Sequence, residues 1–385
     1  MTRWPLLVLM LAASVLVPAR ASAQVNLLGA TGLGRRVRPL DARARGMGDV
    51  GVALHGGNLS AINPAAAARF ASSGIWATYM PEKRTVKGEL ANGDFTTEDV
   101  PVVRLVFPWG GRWAAAVSAG AYFDQDWGVQ FIDTLNLSSG DFPFREKRTS
   151  DGGVTQFRLD MAGVVAEGLS LGGSFLFYSG QARRKVQRAF EIDSGLLPYN
   201  AETAINYLGW GLAVGAEWQP IPEMILGLTG SWGPGLDIEN DTTGQKLEVG
   251  LPLTLDVGGS WQLTPDFLLA LAFGWEGWSK VADDLPNAEA SDAWTFGGGL
   301  ELAALKGETS RLLVRGGAHA TRLPFELRGG ALWEKGLSLG AGVLLREGRA
   351  RIDTAVEFGK RGNIDVNDVE ESYVRVSLGL AVFTR

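Results

Sequence analysis

The chain of 385 residues contains no cysteine and only two histidines, His55 and His319. The first absence excludes disulfides and thiolate metal sites. The second leaves little for imidazole chemistry. A serine nucleophile needs a histidine beside it and an acid or amide to orient the ring, and no serine motif accompanies either one. An enzyme is therefore not expected. No stretch beyond the first two dozen residues offers the ~20 apolar residues of a spanning helix. Charged residues make up 20% of the chain and the net charge is −6, a balance with no sign of a nucleic-acid partner. Gly29 to Gly34 is dense in glycine, but no strand–helix unit frames it as a nucleotide loop. Asp365 to Glu371 could offer oxygen ligands to a divalent cation, but reads more simply as an acidic surface loop. Neither a cofactor nor a metal is expected.

What the chain does have is glycine and tryptophan: 52 and 13 residues, with Trp outnumbering the 6 Tyr. Beyond about Ser73 it falls into segments of roughly 10–13 residues with period-2 alternation, the signature of transmembrane strands. In the last one, Val374, Val376, Leu378, Leu380 and Val382 share one face, and Tyr373, Arg375, Ser377, Gly379 and Ala381 share the other. Successive side chains of a strand point to opposite faces, so one face meets lipid and the other does not. About fourteen such strands can be counted, an even number as bacterial single-chain barrels have. Their connections alternate short (Trp109-Gly110-Gly111, Thr264-Pro265, Glu347-Gly348) and long (126–152, 182–203, 234–250, 279–290). Short turns belong in the periplasm and long loops outside, which puts both termini in the periplasm. Trp109, Trp113, Trp218 and Trp261 near short turns, and Trp232, Trp275 and Trp278 near long loops, are expected to form two interfacial girdles. The inward faces carry both signs of charge, among them Arg104, Arg112, Arg158, Asp160, Glu301, Arg315, Asp353, Glu357 and Arg375, and His319 by parity. Small inward residues such as Gly172, Gly215 and Gly340 either leave room for something in the lumen or ease strand curvature.

The start of the chain reads differently. Arg3, the apolar run Leu6 to Val17 and Ala21-Ser22-Ala23 have the form of a cleaved signal peptide over 1–23, with Gln24 as mature N-terminus. Residues 24–72 do not alternate. They are small and glycine-rich, and Asn63 could cap a short helix opened by Pro64. A compact segment of this kind ahead of a barrel (73–385) is expected to fold inside it as a plug.

Gly46-Met47-Gly48, Gly57-Asn58 and above all Asn63-Pro64-Ala65 resemble the FadL-type outer-membrane transporters of long-chain fatty acids and other hydrophobic compounds. The resemblance implies that this stretch is an N-terminal hatch inside a fourteen-stranded antiparallel β-barrel. It implies that the protein takes up hydrophobic small molecules passively, among outer-membrane lipid and lipopolysaccharide, after insertion by the barrel assembly machinery. It also implies a side opening in a kinked strand. Asp124, Gln125, Asp126 and Gly128 interrupt the alternation of the third strand, so the opening is expected there. Phe131, Ile132, Phe142 and Phe144 could lend apolar surface to a pocket. PorV-like barrels, partners in protein secretion and surface attachment, share the hatch motif and give a second expectation. A general polar porin is a third.

Overall fold

A computed structural model describes residues 32–88, 93–138, 140–190, 195–285, 289–307, 310–326, 330–345 and 348–384. The expected signal peptide and residues 24–31 lie outside the described residues.

Period-2 alternation builds the wall. After a two-residue strand, β1 (Arg35–Arg36), come β2 (Gly74–Gly88), β3 (Gly93–Trp109), β4 (Trp113–Asp124) and β5 (Trp127–Leu137). The chain continues through β6 (Gly140–Ala166), β7 (Leu169–Phe190), β8 (Tyr199–Ile221), β9 (Met224–Asn240), β10 (Lys246–Thr264) and β11 (Phe267–Glu276). The last are β12 (Ala293–Lys306), β13 (Ser310–Arg322), β14 (Trp333–Leu345), β15 (Ala350–Asn363) and β16 (Val369–Phe383). All but β1 and β5 form a closed antiparallel barrel of fourteen strands, in which β4 pairs β6 and β16 returns to β2 from Phe383↔Gly74 to Val369↔Gly88. Closure pairs the wall strands on both sides over most of their length, the condition for a strand structure to sit in lipid.

Parity sorts the faces as the sequence implies. Leu271 and Leu339 on the outer face are 61% and 66% exposed, while Glu357 on the inner face is 2% exposed. An exposed apolar belt of this extent suits hydrocarbon and not water. Trp109, Trp113, Trp218, Trp232 and Trp261 are exposed on it. The tight turn after β3 holds Gly110 and Gly111 at φ 60° and 69°, where a side chain would be strained.

Three expectations are corrected. The long connections are mostly strand: β6 runs for 27 residues and β7 for 22, well beyond the ~9–11 that cross a bilayer. Extending a hairpin satisfies the backbone groups that a loop would leave to water. Arg112 lies exposed in the turn before β4, outside the lumen. Trp278 belongs to no girdle. A 3-10 turn at Trp278–Lys280 breaks the parity of β11 and swings the ring into the interior, where it is fully buried.

Residues 32–72 lie inside the barrel. Their only regular elements are β1, the short helix α1 (Ala42–Gly46) and a 3-10 turn at Pro64–Arg69. Met47, Val50, Val52 and Leu54 pack with Ile62 and with Leu268 and Ala270 of β11.

Candidate functional site

The inner segment docks on the wall at two glycine patches on opposite sides. At the first, Asp41 caps α1 by accepting from the Ala44 N–H (3.3 Å), and the helix runs into Gly46-Met47-Gly48. Here backbone meets backbone. A Cβ on Gly48 would lie 2.3 Å from the Ala318 carbonyl oxygen, and one on Gly317 would lie 2.2 Å from the Met47 carbonyl carbon. A Cβ on Gly299 would likewise sit 2.4 Å from the Met47 carbonyl oxygen. At the second patch Asn63 caps the 3-10 turn through Ala65 N–H (3.0 Å) and donates from Nδ2 to the Ala216 carbonyl of β8 (3.0 Å). Gly172 of β7 and Gly215 of β8 lie beneath it. Their Cβ atoms would come 2.6 Å from Ala65 N and 2.1 Å from Asn63 Oδ1. Asn58 closes the loop between the patches, donating to the Gly51 carbonyl (2.9 Å) and accepting from Ser60 N–H (3.2 Å). The Gly57 carbonyl accepts from Arg43 (3.1 Å). The eight singled-out residues of this stretch thus divide between the two patches and the loop that joins them, as docking and folding residues.

Charges fill much of the lumen, and most are paired. Arg43 of α1 forms a bidentate pair with Glu301 of β12 (2.6 and 2.8 Å), and Glu301 also accepts from Arg315 (2.6 Å). Arg104 bridges Asp160 (2.7 Å) and the Ser60 carbonyl (2.9 Å), tying the inner segment to β3 and β6. A second network runs along β2, β14, β15 and β16. Glu82 accepts from Arg84, from Arg361 (2.7 and 2.9 Å) and from Arg375 (2.7 Å). Arg361 also pairs with Glu334 and Glu371, and Arg375 with Glu357 (2.8 Å). Such buried pairs are weak evidence for net stability, but removing one partner strands the other at a cost of ~3–5 kcal/mol.

This network reaches a seam in the wall. The β3–β4 ladder stops at Val103↔Ala119. Pro101, which has no N–H to offer, lies against Gly120, and above it β3 makes no further ladder with β4. There β4 pairs with β6 on one side and with β1 inside, Arg36↔Phe123 and Arg35↔Asp124. Arg35 sits in the seam between Asp99 of β3 and Asp124 of β4 (2.8 Å to the latter), and Arg84 approaches Asp124 (3.4 Å). The interruption expected at 124–128 is the break between β4 and β5. Gln125 there donates to the Leu33 carbonyl (3.1 Å) and accepts from Tyr207 (2.9 Å), and Asp126 accepts from Gly152 N–H (2.7 Å). Gly128 pairs with Thr149 inside β5–β6.

Beside the seam lies an aromatic cluster. Tyr122 and Phe123 of β4 pack with Tyr178 and Trp278, and Phe325 and Leu33 complete it. The Arg36 guanidinium stacks 3.7 Å from the Tyr122 ring. Voids of about 20, 40 and 50 Å³ lie near this end, whereas a cavity of about 720 Å³ opens at the short-turn end, bordered by His55, Arg69 and Phe383. Sequence reasoning missed this cluster. Phe131 and Ile132 lie outside it on the β5–β6 hairpin, where Ile132 is 73% exposed, and Phe144 packs on Phe190.

The fold is that of known hydrophobic-compound channels. The "CymD monoaromatic hydrocarbon channel" matches with 17% identity and a TM-score of 0.58, over 94% of this chain and 99% of that one. A Pseudomonas aeruginosa FadL homologue matches with 13% identity and a TM-score of 0.60, over 92% and 99%. The Ralstonia pickettii toluene transporter TbuX matches with 16% identity and a TM-score of 0.60, over 91% and 99%. A family model described as BamG matches residues 235–385, from within β9 onward. No curated protein matches.

Proposed function

We propose that the protein is a FadL-type outer-membrane channel for passive entry of small hydrophobic compounds, with residues 32–72 as its hatch and both termini in the periplasm. The observation that carries this reading is the seam between β3 and β4 next to the aromatic cluster of Tyr122, Phe123, Tyr178 and Trp278. The sugar-rich outer leaflet resists apolar solutes, so a carrier must capture them outside and hand them to the membrane core. Tyr122, Tyr178 and Trp278 offer ring faces for capture, and offset or edge-on ring contacts favour a compact aromatic guest. The voids there are too small for a guest, so it must displace Leu33 and Phe325. Release then runs sideways past Asp124, Gln125 and Asp126, once Arg35 has left the seam. The neighbours CymD and TbuX, a monoaromatic hydrocarbon channel and a toluene transporter, support this class of cargo.

The test is uptake of labelled toluene, and of labelled oleate in parallel, by cells carrying the protein. Faster entry than in empty-vector cells is expected, falling with Tyr122→Ala and Trp278→Ala. Blank uptake of both compounds, with the barrel folded in the membrane, overturns the proposal. A second reading, an interaction barrel of the PorV-like kind, is favoured by the BamG family match and by how little free lumen adjoins the aromatic cluster. Co-purification of a stoichiometric partner from native membranes would support it.

A further inference from the structure

One cluster inside the barrel is not explained by docking or by passage. Asp49 follows the Gly46-Met47-Gly48 patch on the inner segment, His319 stands on β13 and Glu357 on β15. All three are buried, and one ligand atom of each lies within 4.8 Å of those of the other two. Asp49 is held at φ 67°, a backbone region that a non-glycine residue seldom adopts without a reason.

The hydrogen bonds of the cluster leave one atom of each residue unused. Asp49 Oδ2 accepts from Arg45 (2.7 Å), and Oδ1 has no partner. Glu357 Oε1 accepts from Tyr373 (2.6 Å) and Arg375 (2.8 Å), and Oε2 has no partner. His319 Nε2 faces Glu334 Oε1 (3.3 Å), and Nδ1 has no partner. This is how the outer shell of a metal centre is built. A ligating histidine donates its other ring N–H to a carboxylate, and ligating carboxylates are themselves held by donors. With the proton on Nε2, Nδ1 carries a bare lone pair.

Charge points the same way. The arginine–carboxylate pairs joining β1, β2, β3, β4, β14, β15 and β16, taken with Arg45–Asp49, hold seven carboxylates and five guanidiniums among the described residues, a formal charge of −2 with His319 neutral. A buried excess of that size is costly unless something neutralises it.

We propose that Asp49, His319 and Glu357 bind one divalent transition-metal ion, Zn²⁺ by donor set, as a clip between the inner segment and the barrel wall. One nitrogen and two carboxylate oxygens match three-ligand zinc sites, with water in the fourth position. Bonds of ~2.0–2.2 Å put ligand atoms ~3.4 Å apart, so ligand atoms within 4.8 Å of one another draw in by at most about 1.4 Å to close on the ion. Two ligands come from the wall and one from the inner segment, so metal occupancy bears directly on how firmly that segment is held. The inference rests on this geometry and stands whether or not the protein is a channel.

The test uses the full mature chain, purified without a histidine tag, stripped with chelator and checked for barrel folding by heat-modifiable migration in gels. Equilibrium dialysis against Zn²⁺ should give one bound equivalent, and Co²⁺ should give a visible d–d absorption band. His319→Ala and Asp49→Asn should each weaken binding by about 100-fold or more. The bound ion should also slow proteolysis of the inner segment. Two protons could neutralise the same charge in place of an ion. Folded wild-type protein that binds no equivalent and gives no cobalt band therefore overturns the proposal. Binding that His319→Ala leaves unchanged overturns it as well. If a variant does not fold, the wild-type stoichiometry and cobalt spectrum decide alone.

Discussion

Gly172→Ala adds a single methyl group, and where it lands can be worked out. Gly172 has an ordinary backbone conformation, so alanine strains nothing in β7 itself. The new Cβ would lie 2.6 Å from Ala65 N, 2.7 Å from Pro64 C and 2.9 Å from Ala65 Cα. These are backbone atoms, and no rotamer change relieves them. The Asn63-Pro64-Ala65 corner must lift off the wall. Overpacking of this kind costs ~1–3 kcal/mol. Lifting also breaks the Asn63 Nδ2 bond to the Ala216 carbonyl, a further ~0.5–1.5 kcal/mol. The total is ~2–4 kcal/mol against the docked state, about a 30- to 700-fold rise in the undocked population. The absence of native cysteine gives a clean assay. Ala67 is fully buried under this corner, so Ala67→Cys should react slowly with a maleimide in an otherwise wild-type chain and much faster beside Gly172→Ala. The β-sheet melt of the barrel should barely move. If the labelling rates agree within about threefold while the barrel is intact, a docked corner held on bare glycine is the wrong account.

Other perturbations follow from the same contacts. Arg35→Leu leaves Asp99 without its cation and Asp124 with Arg84 alone, at ~3–5 kcal/mol, so hydrogen exchange around β1 should accelerate, and adding Asp124→Asn should reverse part of the effect. Trp278→Ala empties a fully buried ring site and should cost ~3–5 kcal/mol in urea unfolding. Trp113→Ala, at a ring that is 50% exposed on the outer face, should cost far less, and equal costs would refute the inward placement of Trp278. Leu271→Arg should cost ~2–4 kcal/mol when the barrel folds into lipid vesicles, and a cost near zero would remove that face from the bilayer.

Alternation made the wall legible because parity is a local property of a strand. Val356↔Val376 outside and Glu357↔Arg375 inside are cross-strand neighbours, as the pattern of β15 and β16 implies. In the inner segment the Asn63-Pro64 pair marks a short capped turn, because a side-chain cap is likewise a local property. Parity fails where a ladder shifts register or a strand ends. Tyr122 and Phe123 are adjacent, and both are buried, because the β4–β6 register shifts between Ala121 and Phe123 and the extra residue there breaks the alternation. Trp278 looked like a girdle ring only as long as β11 was imagined to continue past Glu276.

Alternation tells which face a side chain takes but not what it finds there. Gly172, Gly215 and Gly340 could have eased curvature or made room, and only the docked segment shows that room is their use. The inward charges spoke, in the sequence, against a greasy lumen. Asp256, Glu301 and Glu217, paired with Arg38, Arg43 and Arg69, instead hold the inner segment. The aromatic surface beside the seam is supplied by residues of β4, β7, a 3-10 turn and the Phe325 loop. No single strand carries enough of it to be noticed. Asp49, His319 and Glu357 were beyond reach for the same reason, since each lies on a different element and nothing in local spacing joins them. A barrel wall can thus be read strand by strand, while its function lies in contacts that cross the lumen.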